Sequence, residues 1–248
     1  MPKIILFGGN SEIGMSIAQN FLVKDTSYSS ILCLSRSKEE NDHKAKTEFQ
    51  VWNTNNLEVF QKSLEELRIE KDDLVIISLG KLGANYITSD AKNEINIHEI
   101  SMCIESNLTI PLTVLAFSVN ALSKAGGGRV IVLSSAAAFP PLEPNSYYAS
   151  SKLALDAFAL SIYEEAKKRK VLLSVIRPGF VPTKLNSNRK ATAFGTNLSK
   201  LSRRVAKSNY SKVIWEPRIL RYVTVALRLF RPLQILASRQ FKKSHQID

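Results

Sequence analysis

Short, mostly apolar runs alternate with segments of helical period along this chain. That alternation restricts the fold more than any single motif. Lys3–Phe7, Ser30–Ser35, Glu48–Trp52, Asp73–Ser78, Arg129–Leu133 and Val171–Ile176 read as strands. Met15–Lys24, Leu57–Ile69, Glu94–Leu122 and Asn145–Arg169 read as the helices between them. A strand covered on both faces has no polar side to show. Runs such as Asp73-Leu-Val-Ile-Ile-Ser78 therefore point to a parallel sheet buried between helices. The expected architecture is α/β, a doubly wound parallel β-sheet of about seven strands with helices on both faces. Its 248 residues suffice for one such core, and no linker or low-complexity tract divides them. A single domain, 1–248, is expected.

In such a sheet, ligands sit beyond the carboxyl ends of the strands. Ligand-binding residue types gather at those points. Gly8-Gly-Asn-Ser-Glu-Ile-Gly14 follows the first strand and opens a helix. Glycines let the backbone approach a pyrophosphate, and a helix N-terminus offers free N–H groups at its positive end. Arg36 stands just past the second strand. An acid there would hold the 2′-hydroxyl of NAD, whereas an arginine suits the 2′-phosphate of NADP. Ser35, Arg36 and Ser37 thus favour NADP(H), with NAD(H) admitted as the alternative. Asn53, past the third strand, is placed either to meet an adenine edge or to make a turn. Leu79-Gly80 ends the fourth strand, where a glycine again permits close approach. Asn107 lies in a long helical segment that Pro111 interrupts, and reads either as a kink or water site or as a hydrogen-bonded core amide. Arg177-Pro-Gly-Phe-Val-Pro-Thr183 is a strand-end loop whose backbone can face a ligand.

The densest cluster follows the 129–133 strand. Ser135 comes at its end, a proline-bearing loop follows, and a helix opens near Asn145. Tyr148 and Lys152 are then i and i+4 and share one helix face. A phenol beside an ammonium has its phenolate favoured, so the Tyr148 pKa should fall. A tyrosine tuned in this way passes protons near neutral pH. The Ser135 hydroxyl is placed to polarise the same substrate oxygen.

Charge is unevenly spread over the chain, whose net value is +12. Residues 184–243 hold 15 Lys/Arg and one acid, Glu216, while residues 1–183 hold 19 basic and 20 acidic residues. Residues 184–212 are polar and basic and read as a flap over the site. Val213-Ile-Trp215 reads as a short edge strand. Residues 216–243 read as a basic amphipathic C-terminal helix, kinked or split by Pro232. Such a helix either makes peripheral contact with an anionic membrane or packs on the domain or a second subunit. A homo-oligomer, dimer or tetramer, is expected. With few aromatics and no recognisable module in this segment, no nucleic acid partner is expected. Cys33 and Cys103 lie in apolar runs without metal spacing and read as core thiols of a reducing compartment. No metal site is expected. The apolar start is too short for a signal peptide or a membrane span, so a cytoplasmic protein is expected.

Taken in this order, Gly8-x5-Gly14, Asn107, Ser135, Tyr148, Lys152 and Pro178-Gly179…Thr183 resemble the short-chain dehydrogenase/reductase family over nearly the whole chain. The resemblance implies catalytic roles for Asn107, Ser135, Tyr148 and Lys152. It also implies cofactor contacts from Gly8, Asn10, Ser11, Ile13, Gly14, Gly80, Tyr148, Lys152, Pro178, Gly179, Val181 and Thr183, to which the strand-end positions add Arg36, Ser37 and Asn53. Phe7 stands where that family usually has threonine, Glu12 replaces the middle glycine, and Ser78-Leu-Gly80 replaces Asn-Asn-Ala-Gly. Within the family, Gly8–Gly14, Ser78–Gly83, Ile176–Gly179, Trp215-Glu-Pro217, Arg221-Tyr222 and Leu227-Arg228 are similar to the decaprenylphosphoryl-2-keto-ribose reductases. That likeness implies reduction of a C2 ketone on a polyprenyl-phosphate-linked pentose, an arabinan precursor of a cell wall, at the inner face of the membrane. The other readings are the same chemistry on a soluble hydroxy or keto substrate, or a dinucleotide-binding redox sensor without catalysis.

Overall fold

The computed structural model describes residues 1–36, 46–52, 54, 57–82, 96–141, 145–186, 194–208 and 210–230. Ser37, Asn53 and the segment from Arg231 onward lie outside these. Seven strands form one parallel sheet in the order β3-β2-β1-β4-β5-β6-β7. They are β1 (Ile4–Phe7), β2 (Ile31–Ser35), β3 (Thr47–Val51), β4 (Leu74–Ile77), β5 (Gly128–Leu133), β6 (Val171–Pro178) and β7 (Val213–Glu216). The order reverses between β1 and β4, which leaves a crevice beyond the ends of those two strands.

The apolar runs are double-sided, as a parallel sheet requires. Ile5 and Phe7 of β1 and Val75 and Ile77 of β4 face one layer, packed with Val114, Leu115 and Leu155. Ile4, Leu6, Leu74 and Ile76 face the other, packed with Ile17, Phe21, Leu201 and Val205. Full burial of each such side chain contributes roughly 1.5–3 kcal/mol.

The helices are α1 (Glu12–Lys24), α2 (Leu57–Glu66), α3 (Ile97–Ile104), α4 (Ile110–Ala125), α5 (Ser146–Ser161), α6 (Tyr163–Lys168), α7 (Leu198–Ala206) and α8 (Leu220–Leu229). A π-helical turn, Glu105–Thr109, joins α3 to α4, so the long helix expected around Asn107 bulges there. The Ile110 N–H reaches back five residues to Glu105 O. Pro111, at the start of α4, brings no N–H for the carbonyl four residues earlier, that of Asn107. The helix expected to run to Arg169 divides at Ile162 into α5 and α6.

One C-terminal feature differs from expectation. The stretch read as a flap contains α7, whose Leu201 and Val205 are buried against the sheet. Asn20 of α1 donates to Ser202 Oγ at 2.8 Å, so this part is a layer of the domain. Of the expected C-terminal helix, the described residues hold α8, which ends at Leu229 with Phe230 extended.

Candidate active site

The glycine turn after β1 is shaped by contacts that leave no room for side chains. Gly8 has φ +97°, and a Cβ there would lie 2.5 Å from Ser78 O. A Cβ on Gly14 would lie 2.7 Å from Ser78 Cβ. The first glycine thus allows the loop to turn against β4, and the third lets α1 close on the strand. Ser11 caps α1, accepting from the Gly14 N–H at 3.2 Å, and its hydroxyl meets Ser78 Oγ at 2.6 Å. Asn10 and Ile13 complete this turn, half-buried. The result is a close-approach loop at a helix N-terminus, a cradle that fits a pyrophosphate.

The departures at Phe7 and Glu12 have visible consequences here. Phe7 spends its side chain on the core, 5.1 Å from the Trp52 ring, which in turn lies 4.9 Å from Phe60. Glu12 reaches across to accept from the Lys184 N–H at 2.5 Å, joining the first turn of α1 to the segment after Thr183.

Lys152 is the centre of the site. Its ammonium is buried, donating to Leu79 O at 2.7 Å and Leu133 O at 3.1 Å. It lies 6.0 Å from the centroid of the Tyr148 ring, one turn earlier on α5. Burial drives its pKa down to about 8, while Cys103 raises it slightly. A buried cation whose partners among the described residues are carbonyl oxygens is costly, and proton release relieves that cost. Leu133 is two residues before Ser135, so Lys152 is tied to the strand that delivers the serine. Ser135 is buried, and its Oγ accepts from the Ala137 N–H at 3.2 Å.

Asn107 is fully buried beneath the loop after β4. Its Nδ2 donates to Lys81 O at 2.7 Å and to Cys103 O at 2.8 Å, and its Oδ1 accepts from Lys81 N at 3.1 Å. The amide thus holds the loop that presents Leu79 O to Lys152. Gly80 lies between the two side chains. A Cβ there would sit 2.9 Å from Asn107 Oδ1 and 3.3 Å from Lys152 Nζ. What approaches Gly80 closely is therefore this Asn–Lys pair.

The other expected residues fall into two groups. Arg36 is exposed, one residue past β2. Ser37 and Asn53 lie outside the described residues. Pro178 ends β6 and accepts from the Ala136 N–H at 2.9 Å, linking its loop to that of Ser135. Gly179 is packed within the chain, since a Cβ there would lie 2.4 Å from Phe194 O and 2.8 Å from Leu220 Cδ1. Val181 is buried in the core, and Thr183 is half-buried at the start of a short turn. Sequence reasoning missed the partners of Lys152 and Asn107. The carbonyls of Leu79 and Leu133 belong to every residue type and leave no signal. Ser78, a small polar residue at the end of an apolar strand, was the one visible hint of the contact with Ser11.

The short chain dehydrogenase family profile matches residues 2–193. This chain belongs to the short-chain dehydrogenase family. It is an NAD(P)-dependent oxidoreductase acting on CH–OH and C=O groups. An uncharacterized oxidoreductase of Mycobacterium tuberculosis is 23% identical over 238 residues, 91% of this chain and 92% of that one. The benzil reductase ((S)-benzoin forming) of Bacillus subtilis is 27% identical over 192 residues, 75% of this chain and 77% of that one. Among solved structures, a short chain dehydrogenase from Burkholderia cenocepacia in complex with NADP is similar in fold. Its TM-score is 0.76 at 15% identity, covering 96% of this chain and 97% of that one. Actinorhodin polyketide ketoreductase with NADPH has a TM-score of 0.67 at 15% identity, covering 86% and 95%. The sheet of this chain brings its glycine loop and its Tyr–Lys helix to one edge.

Proposed function

We propose that this short-chain dehydrogenase is an NADPH-dependent carbonyl reductase in which Tyr148 donates the proton to the substrate oxygen. The observation that carries this reading is the buried ammonium of Lys152 at the carboxyl edge of the sheet, 6.0 Å from the Tyr148 ring. When bound, the dinucleotide supplies the hydride. Gly8, Asn10, Ser11, Ile13 and Gly14 hold its pyrophosphate side, and Arg36 takes the 2′-phosphate. Exposure of Arg36 past β2 supports that preference, as do the two similar folds solved with NADP and NADPH. NAD(H) is the alternative. Gly80, Pro178, Gly179, Val181 and Thr183 shape the backbone around the nicotinamide side.

Ser135 hydrogen-bonds the carbonyl oxygen and orients it toward Tyr148. Lys152, with two N–H groups committed to carbonyls, has a third for its ligand and for the phenol. Asn107 positions a water that returns protons to Lys152. Its main-chain carbonyl lacks an α-helical donor because residue 111 is proline. General acid assistance of this kind contributes about 10²–10⁴-fold.

The proposed substrate is the 2-keto group of a polyprenyl-phosphate-linked pentose, a cell-wall arabinan precursor. The basic C-terminal segment supports an anionic lipid substrate. On α8 and at its two ends, Ile219, Tyr222, Val225, Leu229 and Phe230 are exposed beside Arg218, Arg221 and Arg228. This face contacts the inner membrane surface of the cytoplasm, and vesicle co-sedimentation should weaken as salt rises. Binding without salt dependence would remove the membrane part of the proposal. A second reading, reduction of a soluble carbonyl by a dimer or tetramer, draws on the relative that forms (S)-benzoin from benzil.

One experiment tests the core of the proposal. NADPH and NADH are titrated separately, and turnover is then followed with a carbonyl panel including benzil and a polyprenyl-phosphate keto-pentose. Tighter binding of NADPH with turnover of the lipid-linked ketone is the expected result. Turnover of benzil alone would leave the second reading, and failure to bind either dinucleotide would end both.

A further inference from the structure

Asp156 and Arg177 form a buried pair that the proposed chemistry does not use. Arg177 Nε donates to Asp156 Oδ2 at 2.8 Å and Nη2 to Oδ1 at 2.5 Å, a two-point fork. The side chains are 1% exposed for Asp156 and 12% for Arg177. The guanidinium packs on two rings, 4.1 Å from the Phe139 centroid and 4.8 Å from that of Trp215. Those rings meet edge-on, 5.6 Å apart. Arg177 and Trp215 are register partners on β6 and β7, so their side chains emerge on one face of the sheet.

The four residues come from the segments that must be aligned for proton transfer. Phe139 lies four residues after Ser135. Asp156 lies one turn after Lys152 and two after Tyr148, on the same side of α5. Arg177 directly precedes Pro178-Gly179. Trp215 anchors the edge strand beneath α8. A bidentate guanidinium–carboxylate pair is directional, whereas apolar packing tolerates sliding. Burying such a pair is not itself a strong source of stability, because desolvation offsets the attraction. Its use here is geometric.

We propose that the Asp156–Arg177 fork, packed against Phe139 and Trp215, is a positioning clamp that sets where Tyr148 and Lys152 stand relative to Ser135. It rests on the reading of Tyr148 as proton donor. The clamp residues touch neither substrate nor dinucleotide in this role and act only through the alignment of α5 with the β5 and β6 ends.

The test replaces the fork by apolar groups of similar volume, D156L/R177M, which keeps packing while removing direction. The expected result is a kcat lowered at least tenfold, measured on whichever panel carbonyl turns over fastest. KM and the NADPH Kd should stay within about twofold, since those contacts lie elsewhere. Amide hydrogen exchange over residues 146–153 should quicken while that of α1 is unchanged. R177K keeps the charge but loses the fork, and should show an intermediate kcat. It and W215L give the same kcat-against-KM reading if the double variant does not fold. A folded double variant with wild-type kcat and exchange overturns the clamp. So does a loss of kcat that only follows a matching loss of NADPH binding. Y148F separates the two levels: full turnover by that variant overturns the proton-donor reading itself, whereas its inactivity beside an unimpaired double variant overturns the clamp alone.

Discussion

The two ends of β5 each set a cation against a tyrosine, with opposite results. At the start of the strand, Arg129 lies 4.1 Å over the Tyr210 ring, donates to the Tyr210 hydroxyl and to Tyr28 Oη at 3.2 Å, and pairs with Asp25 at 3.5 Å. At the other end, Lys152 meets Tyr148, but among the described residues no carboxylate pairs with it. Burial pushes the Tyr28 hydroxyl up to about 12 and raises Tyr210 as well, against the pull of Arg129. Burial pulls the Lys152 ammonium down to about 8. A guanidinium with an acid beside it stays charged and serves as a bolt between elements. An ammonium held by carbonyls alone can surrender its proton near neutral pH, which suits a relay.

Removing the two phenols should give the sharpest contrast. Tyr148→Phe should lower kcat about 10²–10⁴-fold with NADPH binding retained. Tyr210→Phe should leave kcat unchanged. Comparable activity in the two variants, in a single-turnover assay, would erase the distinction. Next in size is Gly80→Ala, whose methyl group would press on Asn107 and Lys152. A roughly 10–10²-fold fall in kcat is expected from that displacement, with little change in unfolding midpoint. Wild-type kcat in G80A would show that the loop yields.

The pH response provides a third check. Lys152 is charged below about pH 8 and neutral above it, so kcat/KM should fall as pH rises through about 8. Between about 8 and the usual lysine value of 10.5, the unfolded chain keeps a proton that the folded chain has released. This group alone therefore makes stability increase with pH across that window and decrease as pH falls through about 8. An alkaline limb unmoved by Lys152→Met would contradict the assignment. The smallest effect on rate belongs to Arg129→Met, which should cost about 1–3 kcal/mol of stability in a denaturant titration while kcat stays level. A large activity loss there would mean that the two ends of β5 are coupled.

Local chemistry was enough to read much of this molecule. Apolar runs and helical periods located the strands and the layers between them. The Gly8–Gly14 turn, Ser135 at a strand end, and the Tyr148/Lys152 spacing depend on residues close in sequence. Boundaries were less legible. The division at Ile162 was missed, because nothing in the side chains there marks it. The 184–212 stretch looked polar enough for a flap because the apolar stripe of α7 is narrow and surrounded by basic residues.

Amino-acid order by itself determined the alternating α/β plan, the helix face shared by Tyr148 and Lys152, and the concentration of positive charge toward the C-terminus. These follow from backbone periodicity and side-chain type, which neighbours a few positions apart settle. Tertiary packing alone decided that Leu79 and Leu133 carbonyls would hold Lys152, that Asn107 would grip Lys81, and that Asp156 would find Arg177. Each of those partners lies at least 19 residues away in sequence. Such contacts arise when the sheet closes and buried polar groups must find whichever partners the finished core leaves within reach.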